Sequence, residues 1–351
     1  MRRIVEGESA YYEFTHEESE TLQEATNELA KMTLAAVEHV VDRHLYAKLG
    51  IPAPAIPLIE RSWRAKEPAL CGRFDLAFDG VNPPKLLECD GDAPRGLREA
   101  AVVQQEWFEH RELDGEPFNS LHDSLTGRWG ELAEHLPDER IDFCSLDDPE
   151  SRATLKYLED TAEEAGLETS VFPIGEIGWN GRTFTGPNGR KLGAVFKLYP
   201  WEWMVREEYG QYLATAETIW IEPLWKMLLS SKGILPVLWE LYPRNRYLLE
   251  AHCDSPGLMM SWVKKPLFGR DGANVTLHHP GNDLETGGPY GAEGFVYQQL
   301  AALPSFDGKC AVVESWAVGH DDEYEAAGIG IREADGPITD HTSRFVPHVV
   351  E

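Results

Sequence analysis

The spacing of apolar residues along the chain predicts long helices alternating with short strands. Apolar side chains recur at helical spacing over residues 22–49, after a capping-box pattern at Thr15 and Glu18. Strands at 140–146 and 168–173 flank a helix at 152–165, which predicts a βαβ unit with a parallel strand pair. Further helices are predicted at 97–107, 117–136 and 209–218, and a polar loop at 276–290.

Two apolar segments joined by an Asp79-Gly80 turn predict a β-hairpin. Glu88 and Asp90 are two residues apart, so they share one face of a strand, and Asp75 can face them across the hairpin. Carboxylates on one face repel one another unless a cation lies among them, and oxygen ligands without thiols or imidazoles suit Mg²⁺. We therefore predict Asp75, Glu88 and Asp90 as magnesium ligands, with Arg73 facing the same anion. The alternative is a solvated acidic hairpin.

Composition limits the partners of this chain. Its 351 residues carry 60 acidic and 32 basic side chains, a formal charge of -28, which argues against nucleic acid or an anionic membrane as a partner. A cationic substrate such as a polyamine would be attracted, and the alternative is that the charge serves solubility alone. Five cysteines without CxxC spacing indicate neither a disulfide framework nor a zinc site. With no signal-peptide pattern and no bilayer-spanning stretch, the expected location is cytoplasmic.

A second charged pattern lies between residues 263 and 274, where Lys265 ends an apolar strand before a glycine-containing loop. Gly269 and Gly272 would allow close backbone approach to phosphate oxygens, and a lysine supplies a point charge, so the loop fits a lid over phosphates. The chain contains no GxxxxGK[ST], GxGxxG or GxSxG motif. Abundant acids and 11 tryptophans leave a carbohydrate hydrolase with paired carboxylates as another interpretation.

Acidic residues also follow the strand predicted at 140–146. Asp147, Asp148 and Glu150 stand at its carboxyl end, where open sheets bind ligands, and are candidates to hold an ammonium group. The same residues fit an ordinary helix N-terminus, where acidic side chains favour the helix dipole.

Several long strings in the chain resemble the synthetase domain of the glutathionylspermidine synthase family. They are RFDLAFDG, PPKLLE, EAAVVQQEW, FKLYPWEWM, IEPLWKMLLSSKGILPVLWELYP, KKPLFGRDGANV and ITDHTSRFVPH. The resemblance extends from about residue 10 to the end and implies a mixed α/β, ATP-grasp-like fold with a βαβ preATP-type lobe and a mobile glycine-rich lid. It implies one unit over 1–351, with lobes at roughly 1–138, 139–215 and 216–351 and no amidase domain.

The resemblance also implies ATP and Mg²⁺ as cofactors and assigns roles to individual residues. It implies nucleotide-binding roles for Lys232, Lys265, Gly269, Gly272 and Gln298. It implies that three arginines stabilise the transferring phosphoryl group and the tetrahedral adduct, namely Arg73, Arg270 and Arg332. For Arg332 the alternative is a surface salt bridge with Glu333.

The chain departs from the family pattern beside the predicted metal ligands. Relatives have Glu-Tyr-Asn where this chain has Glu88-Cys89-Asp90, a change that keeps oxygen ligation. Relatives have hydroxyl residues in place of Ala93 and Arg95, next to the acid substrate, and Arg95 could clamp a different carboxylate. The expected function is an ATP- and Mg²⁺-dependent ligase that joins a small carboxylic acid to an amine through an acyl phosphate. The alternative is a degenerate homologue that binds nucleotide or amine without turnover.

Overall fold

A computed structural model describes residues 1–6, 9–320 and 323–351 of the chain. In these residues the α-helices α1 to α8 are, in order, His16–Arg43, Ile56–Arg64, Gln104–Glu109, Leu121–Ala133, Pro149–Glu164, Trp201–Met204, Met227–Ser230 and Ile234–Leu241. The strands β1 to β20 are Arg2–Glu6, Ser9–Phe14, Cys71–Ala77, Lys85–Asp90, Arg140–Ser145, Glu168–Pro173, Gly178–Trp179, Phe184–Thr185, Ala194–Leu198, Ile219–Ile221, Ala251–His252, Trp262–Pro266, Thr276–His279, Asn282–Glu285, Phe295–Gln299, Ser305–Phe306, Lys309–His320, Glu323–Ala334, Arg344–Val346 and His348–Val350.

The largest sheet contains the predicted hairpin. Its strand order is β19-β18-β17-β3-β4, and β16 pairs with β17. Strands β3 and β4 are antiparallel, so the hairpin is confirmed. Their register places Asp75 opposite Glu88, and the next strand places Glu314 on the other side of Asp75. Three carboxylates therefore follow one another across three neighbouring strands.

Helix α1 packs against β17 and β18 of this sheet. The side chain of Thr15 accepts a hydrogen bond from the Glu18 backbone N–H, and the Glu18 side chain accepts one from the Thr15 N–H, which confirms the capping box. Apolar residues such as Leu22 and Leu29 are fully buried, and each stabilises the fold by about 1.5–3 kcal/mol. The α-helix ends at Arg43, earlier than predicted, because the next residue adopts a left-handed backbone and a 3₁₀ turn follows.

A four-stranded parallel sheet has the order β10-β9-β5-β6, and α5 connects β5 to β6. The predicted βαβ unit is therefore confirmed. Trp129 of α4 and the rings of Phe143 and Phe196 pack together over one face of this sheet. Strand β9 ends just before α6, so α6 lies at the carboxyl edge where open parallel sheets bind ligands.

A five-stranded sheet, β11-β15-β12-β13-β14, carries the predicted lid. Its strands β13 and β14 form a hairpin around Gly281, whose φ of 86° favours glycine. The prediction of a loop at 276–290 was therefore wrong for 276–285 and correct for 286–290, which contain no helix or strand. The polar composition that suggested a loop reflects the exposure of β14 at the edge of this sheet.

Two other helix predictions need correction. Residues 209–218 contain only a 3₁₀ turn, Glu208–Tyr212, where Tyr212 stacks on Trp179 with ring centroids 4.3 Å apart. Gly210 weakens any helix there, and a Cβ at that position would lie 2.7 Å from a backbone oxygen. The predicted helix at 97–107 includes a π-helical turn, Glu99–Val103, and then α3.

The C-terminal tail packs back on the body, because β19 pairs with β18 and β20 pairs in parallel with β2. One hydrophobic core cluster includes residues from each predicted lobe, for example Leu22, Val195 and Val296. The division into three lobes stays a prediction. Among the described residues, no helix combines the length and apolar character needed to cross a lipid bilayer.

Candidate functional site

A cavity of about 440 Å³ opens between the hairpin β3–β4, the lid sheet and the C-terminal tail. All of the predicted site residues line it except Asp147 and Asp148. Residues that are up to 259 positions apart in the sequence, from Arg73 to Arg332, therefore line the same cavity. The sequence strings that carried the family resemblance are the segments that the fold brings together.

The floor of the cavity is a row of carboxylates, Glu88, Asp75 and Glu314. Their order follows the pairing of β4, β3 and β17. Burial raises the pKa of Asp75 to about 6, and Glu88 and Glu314 add to the rise while Arg73 and Arg332 oppose it. Glu314 was not predicted as a site residue. The sequence feature that could have indicated it is a glutamate within the apolar run CAVVESWAV. In the structure Glu314 is only 4% exposed.

Two arginines neutralise this row. The Arg73 Nε donates to Asp75 Oδ1 at 2.7 Å, and its Nη1 donates to the Arg95 backbone oxygen at 2.6 Å. Arg332 Nη2 donates a hydrogen bond to Glu314 Oε1 and lies 3.7 Å from Asp75 Oδ2. The alternative pairing of Arg332 with Glu333 was wrong, because Glu333 accepts hydrogen bonds from Tyr12 and Arg3 instead.

We call Glu88, Lys232, Lys265 and Gln298 the lysine group. Lys232 Nζ lies 3.1 Å from Glu88 Oε2, and Lys265 Nζ donates to Gln298 Oε1 at 2.9 Å. Burial lowers the pKa of Lys265 to about 8, an effect that Lys232 reinforces and Glu88 opposes. Partial burial would raise the pKa of Glu88, but Lys232, Lys265 and Arg73 outweigh it and lower that pKa to about 2. The Gln298 amide also donates to the Leu86 backbone oxygen at 2.9 Å, which fixes its orientation.

The glycine loop between β12 and β13 lies over the cavity. Gly272 has a φ of 64°, and a Cβ there would approach the Thr339 backbone oxygen to 2.5 Å, so only glycine fits this packing against the tail. Lys232 Nζ donates to the Gly269 backbone oxygen at 2.9 Å. Arg270 lies between two acids, 3.2 Å from Glu202 Oε1 and 3.9 Å from Asp90 Oδ2.

The acids after β5 separate in the structure. Asp148 caps helix α5, because its Oδ1 accepts from the Ser151 N–H at 3.0 Å. Asp147 is exposed and pairs with Arg152. Glu150 lines the cavity. The helix-terminus interpretation therefore describes the contacts of Asp148, and a direct role for Asp147 or Asp148 in binding an amine stays a prediction.

Two glutamates that the sequence did not predict, Glu99 and Glu202, line the cavity together with the predicted Glu150. We call Glu99, Glu150 and Glu202 the glutamate group. Glu99 stands in the π-helical turn, and burial raises its pKa. One carboxylate oxygen of Glu99 and one of Glu202 are buried without a hydrogen-bond partner in residues 1–6, 9–320 and 323–351. π-Helical turns are frequent at functional sites, but no sequence motif indicates one here.

The loop after Asp90 is fixed from behind by a buried polar network. Ser230 Oγ accepts from the backbone N–H groups of Gly91 and Asp92 at 3.1 and 3.0 Å. The Asp92 carboxylate accepts from Ser230 and from the Trp201 N–H, and Lys197 Nζ lies 3.9 Å from it. The network connects the hairpin to α6. Cys89 is buried and burial raises its pKa, so it serves in packing.

The carboxylates of the cavity have the oxygen donors that Mg²⁺ prefers. In the part of the chain that the structure describes, no three His, Cys, Asp or Glu side chains form a ready-made metal cage. Asp75 and Glu88 contact cationic side chains, whereas Asp90 Oδ1 is buried with no hydrogen-bond partner among the described residues. Mg²⁺ often takes only one or two carboxylates and completes its shell with water and substrate phosphates. These carboxylates therefore fit an ion that binds together with a phosphate.

Comparison with known proteins agrees with this architecture. The family model described as "Glutathionylspermidine synthase preATP-grasp" matches residues 3–351. A solved glutathione synthetase-like effector from Globodera pallida has a TM-score of 0.60 over 97% of this chain and 89% of its own, at 9% identity, which shows a shared fold.

Curated relatives are similar along most of the chain. The protein "Putative acid--amine ligase" of Haemophilus influenzae is 38% identical over 96% of this chain and 88% of its own length. The bifunctional glutathionylspermidine synthetase/amidase of Escherichia coli is 30% identical over 88% of this chain, and the trypanothione synthetase of Crithidia fasciculata is 26% identical over 98%. The matches span only 55% and 57% of those two longer proteins.

The fold is ATP-grasp-like, and the relatives that match most of the chain are ligases, so the protein is a carbon–nitrogen bond-forming ligase. The chain belongs to the glutathionylspermidine synthase family.

Proposed function

We propose that the protein is an ATP- and Mg²⁺-dependent ligase that joins a small carboxylic acid to an amine through an acyl phosphate. The observation that carries the proposal is the shared cavity. The cavity is lined by Lys232 and Lys265 near the glycine loop, and by further acids. It also contains Asp75 with the two arginines that contact it, Arg73 and Arg332, which we call the Arg73–Asp75–Arg332 row. The names of the relatives in Haemophilus influenzae and Escherichia coli support an acid and an amine as the substrate classes.

The chemistry explains why both charge signs are needed. A carboxylic acid and an amine form a salt at neutral pH, so the carboxylate must first be activated. The carboxylate attacks the terminal phosphorus of ATP and ADP leaves, and the amine then displaces phosphate from the acyl phosphate. Such reactions depend on positioning and on stabilising negative charge.

Individual residues follow from this scheme. Lys232 and Lys265 hold phosphate oxygens, and the backbone near Gln298 holds adenine. Arg73, Arg270 and Arg332 stabilise the transferring phosphoryl group and the tetrahedral adduct. Asp75, Glu88 and Asp90 would hold Mg²⁺, which neutralises phosphate charge when it is bound.

The same geometry bears on the alternative of a degenerate homologue. The charged residues predicted for turnover all line the cavity, and Arg73 and Arg332 are ordered by ion pairs with Asp75 and Glu314. These features favour an active enzyme. The exposed Arg95 beside the buried Ala93 favours an acid substrate with a second carboxylate or another anionic group.

Hydroxylamine trapping tests this function without knowledge of the amine. The full chain is incubated with ATP, Mg²⁺, hydroxylamine and a panel of amino acids, dicarboxylic acids and glutathione, and acyl hydroxamate and phosphate are measured. We expect product with at least one acid, and none after Asp75→Ala. A wild-type protein that gains thermal stability with ATP and Mg²⁺ but forms no hydroxamate would be a binding homologue without turnover. Saturation at 100 times the dissociation constant should add about 2.7 kcal/mol.

A further inference from the structure

Glu202 stands out among the acids of the cavity. It lies in α6, at the carboxyl edge of the parallel sheet, and its residue is 3% exposed. Its Oε1 accepts from Arg270 Nη2 at 3.2 Å. Its Oε2 is buried on the cavity wall and has no hydrogen-bond partner in the described residues. An ionised oxygen in this state is costly, so its retention calls for a ligand that binds there.

Glu202 shares its cationic partner with another acid. Asp90, Asp92 and Glu202 are three carboxylates, and the cations that contact them are Arg270 and Lys197. Lys197 lies 3.9 Å from Asp92, and Arg270 is shared between Asp90 and Glu202. In the described residues Glu202 therefore has no cationic partner of its own, because its partner Arg270 also lies near Asp90.

The surroundings hold Glu202 in place. The Trp201 N–H donates to Asp92 Oδ2 at 2.7 Å, and the Trp201 indole donates to the Glu222 backbone oxygen at 3.1 Å. The start of α6 is thus tied to the hairpin loop and to β10. A carboxylate fixed in this way pays little entropy to bind a cation, which is the property expected of a preorganised site.

We propose that Glu202 binds the ammonium group of the amine substrate and accepts the proton that this group must lose. The inference rests on the proposed function and adds a catalytic residue to it. The ammonium transfers one proton to Glu202, and the resulting neutral amine attacks the acyl carbon. The C–O bond to phosphate breaks, a second nitrogen proton leaves with the phosphate, and Glu202 returns its proton to solvent. The products are the amide, hydrogen phosphate and one proton.

The electrostatic setting suits a base. Burial raises the pKa of Glu202, Asp92 adds to the rise and Arg270 opposes it. Other titratable groups that sense the Glu202 charge are Lys197, Tyr199 and Tyr290. A base with a raised pKa is a better proton acceptor near neutral pH, and such catalysis contributes about 100- to 10,000-fold.

The experiment compares two nitrogen nucleophiles in the full chain. Hydroxylamine is largely uncharged at neutral pH and needs no base, whereas spermidine, putrescine and ethanolamine are cations. We expect Glu202→Gln to lower ligation of the three amines by about 100-fold or more beyond any loss of its hydroxamate formation. Glu207→Gln is the matched control, because Glu207 lies just beyond the same short helix, is exposed and accepts a hydrogen bond from Tyr199.

Other outcomes overturn the inference. Equal losses with hydroxylamine and the amines would mean that Glu202 only positions Arg270. Equal activities in wild type and Glu202→Gln would mean that it has no part in proton transfer. Calorimetric titration with the same three amines, in the presence of Mg²⁺ and a non-hydrolysable ATP analogue, measures amine binding without turnover. We expect binding that weakens at least tenfold in Glu202→Gln, and no binding to wild type would overturn the inference. Absence of hydroxamate in wild type would instead count against the proposed function.

Discussion

In the lysine group each charged side chain has a protein partner, since Lys232 contacts Glu88 and Lys265 bonds Gln298. In the glutamate group, Glu99 and Glu202 each keep a buried oxygen without a hydrogen-bond partner in the described chain. The carboxyl pKa shifts of the two groups have opposite signs. The pKa of Glu88 is lowered, whereas the pKa values of Glu99 and Glu202 are raised. Both groups line one cavity, so the contrast arises from local partners and not from a difference in compartment.

The two groups would therefore bind a phosphate and a cation in different ways. A phosphate that binds the lysine group must displace Glu88 and Gln298 as partners of the lysines, which limits its affinity. The same partners hold the lysines in position before the phosphate binds. A cation that enters the glutamate group gains an interaction and displaces none. Arg73, Asp75 and Arg332 line the same cavity and are joined by ion pairs, and in the proposed function they act on the transferring phosphoryl group.

The largest expected effect concerns this central row. Arg332→Met should lower hydroxamate formation by about 100- to 1,000-fold, because a transition-state charge loses a preorganised donor. Arg344→Met in neighbouring β19 is the matched control, since Arg344 is exposed. Initial rates are compared with thermal melting of both variants. Equal rates in the two variants would remove Arg332 from the catalytic assignment.

A smaller effect tests the lysine group alone. Lys265→Met should raise the dissociation constant for ATP by about 10- to 100-fold, the usual worth of a hydrogen bond to a charged group. Lys264→Met is the control, because Lys264 faces the other side of β12 and lies 4.1 Å from the centroid of the Phe295 ring. Calorimetric titration measures both. If Lys264→Met weakens binding as much as Lys265→Met does, the nucleotide does not contact the face assigned to it.

How far the sequence could predict this site depends on the range of the interactions. The hairpin acids and the strand-end lysine stand in local patterns, and the structure brings them into one cavity as expected. Glu314 and Glu202 lie in segments that looked like ordinary strand and aromatic core. Their placement depends on the pairing of β17 with β3 and of β9 with β5, which single-sequence periodicity does not specify.

The errors in the fold have the same origin. Thr276–His279 lacks apolar alternation because it pairs with an exposed edge strand, and the turn near Tyr212 is set by stacking on Trp179. The βαβ unit and the capping box were predicted correctly, because local spacing alone determines them. The family resemblance supplied the long-range arrangement that the patterns could not.

The pH dependence of nucleotide binding gives a subtler test. With its pKa lowered to about 8, Lys265 is largely uncharged at about pH 8.5 in the free protein. A bound nucleotide phosphate favours the protonated lysine, so nucleotide binding should take up at most about one proton. Affinity should fall as pH rises through 8 for the same reason. Calorimetry in two buffers of different ionisation enthalpy measures the uptake. Lys265→Arg should abolish it, and uptake that persists in this variant would point to another group.

The smallest expected effect separates the two groups by its sign. Glu99→Gln should leave stability unchanged or raise it by about 1 kcal/mol at neutral pH, because it removes a charge that burial and Glu150 disfavour. Glu88→Gln should destabilise the protein, since it removes the partner of Lys232. The folded pKa of Glu88 lies below its ordinary value of 4.5, so its stabilisation is present above pH 4.5 and is lost as the pH falls towards 2.

Urea unfolding of wild type and both variants at neutral pH checks these signs, and a repeat near pH 4 tests the linkage. The difference between wild type and Glu88→Gln should shrink at the lower pH, whereas a constant difference would mean that lost packing causes it. If Glu99→Gln is as destabilising as Glu88→Gln, the Glu99 carboxylate is satisfied in solution. The contrast between the two groups would then be limited to Glu202, because Glu99 would no longer differ from Glu88.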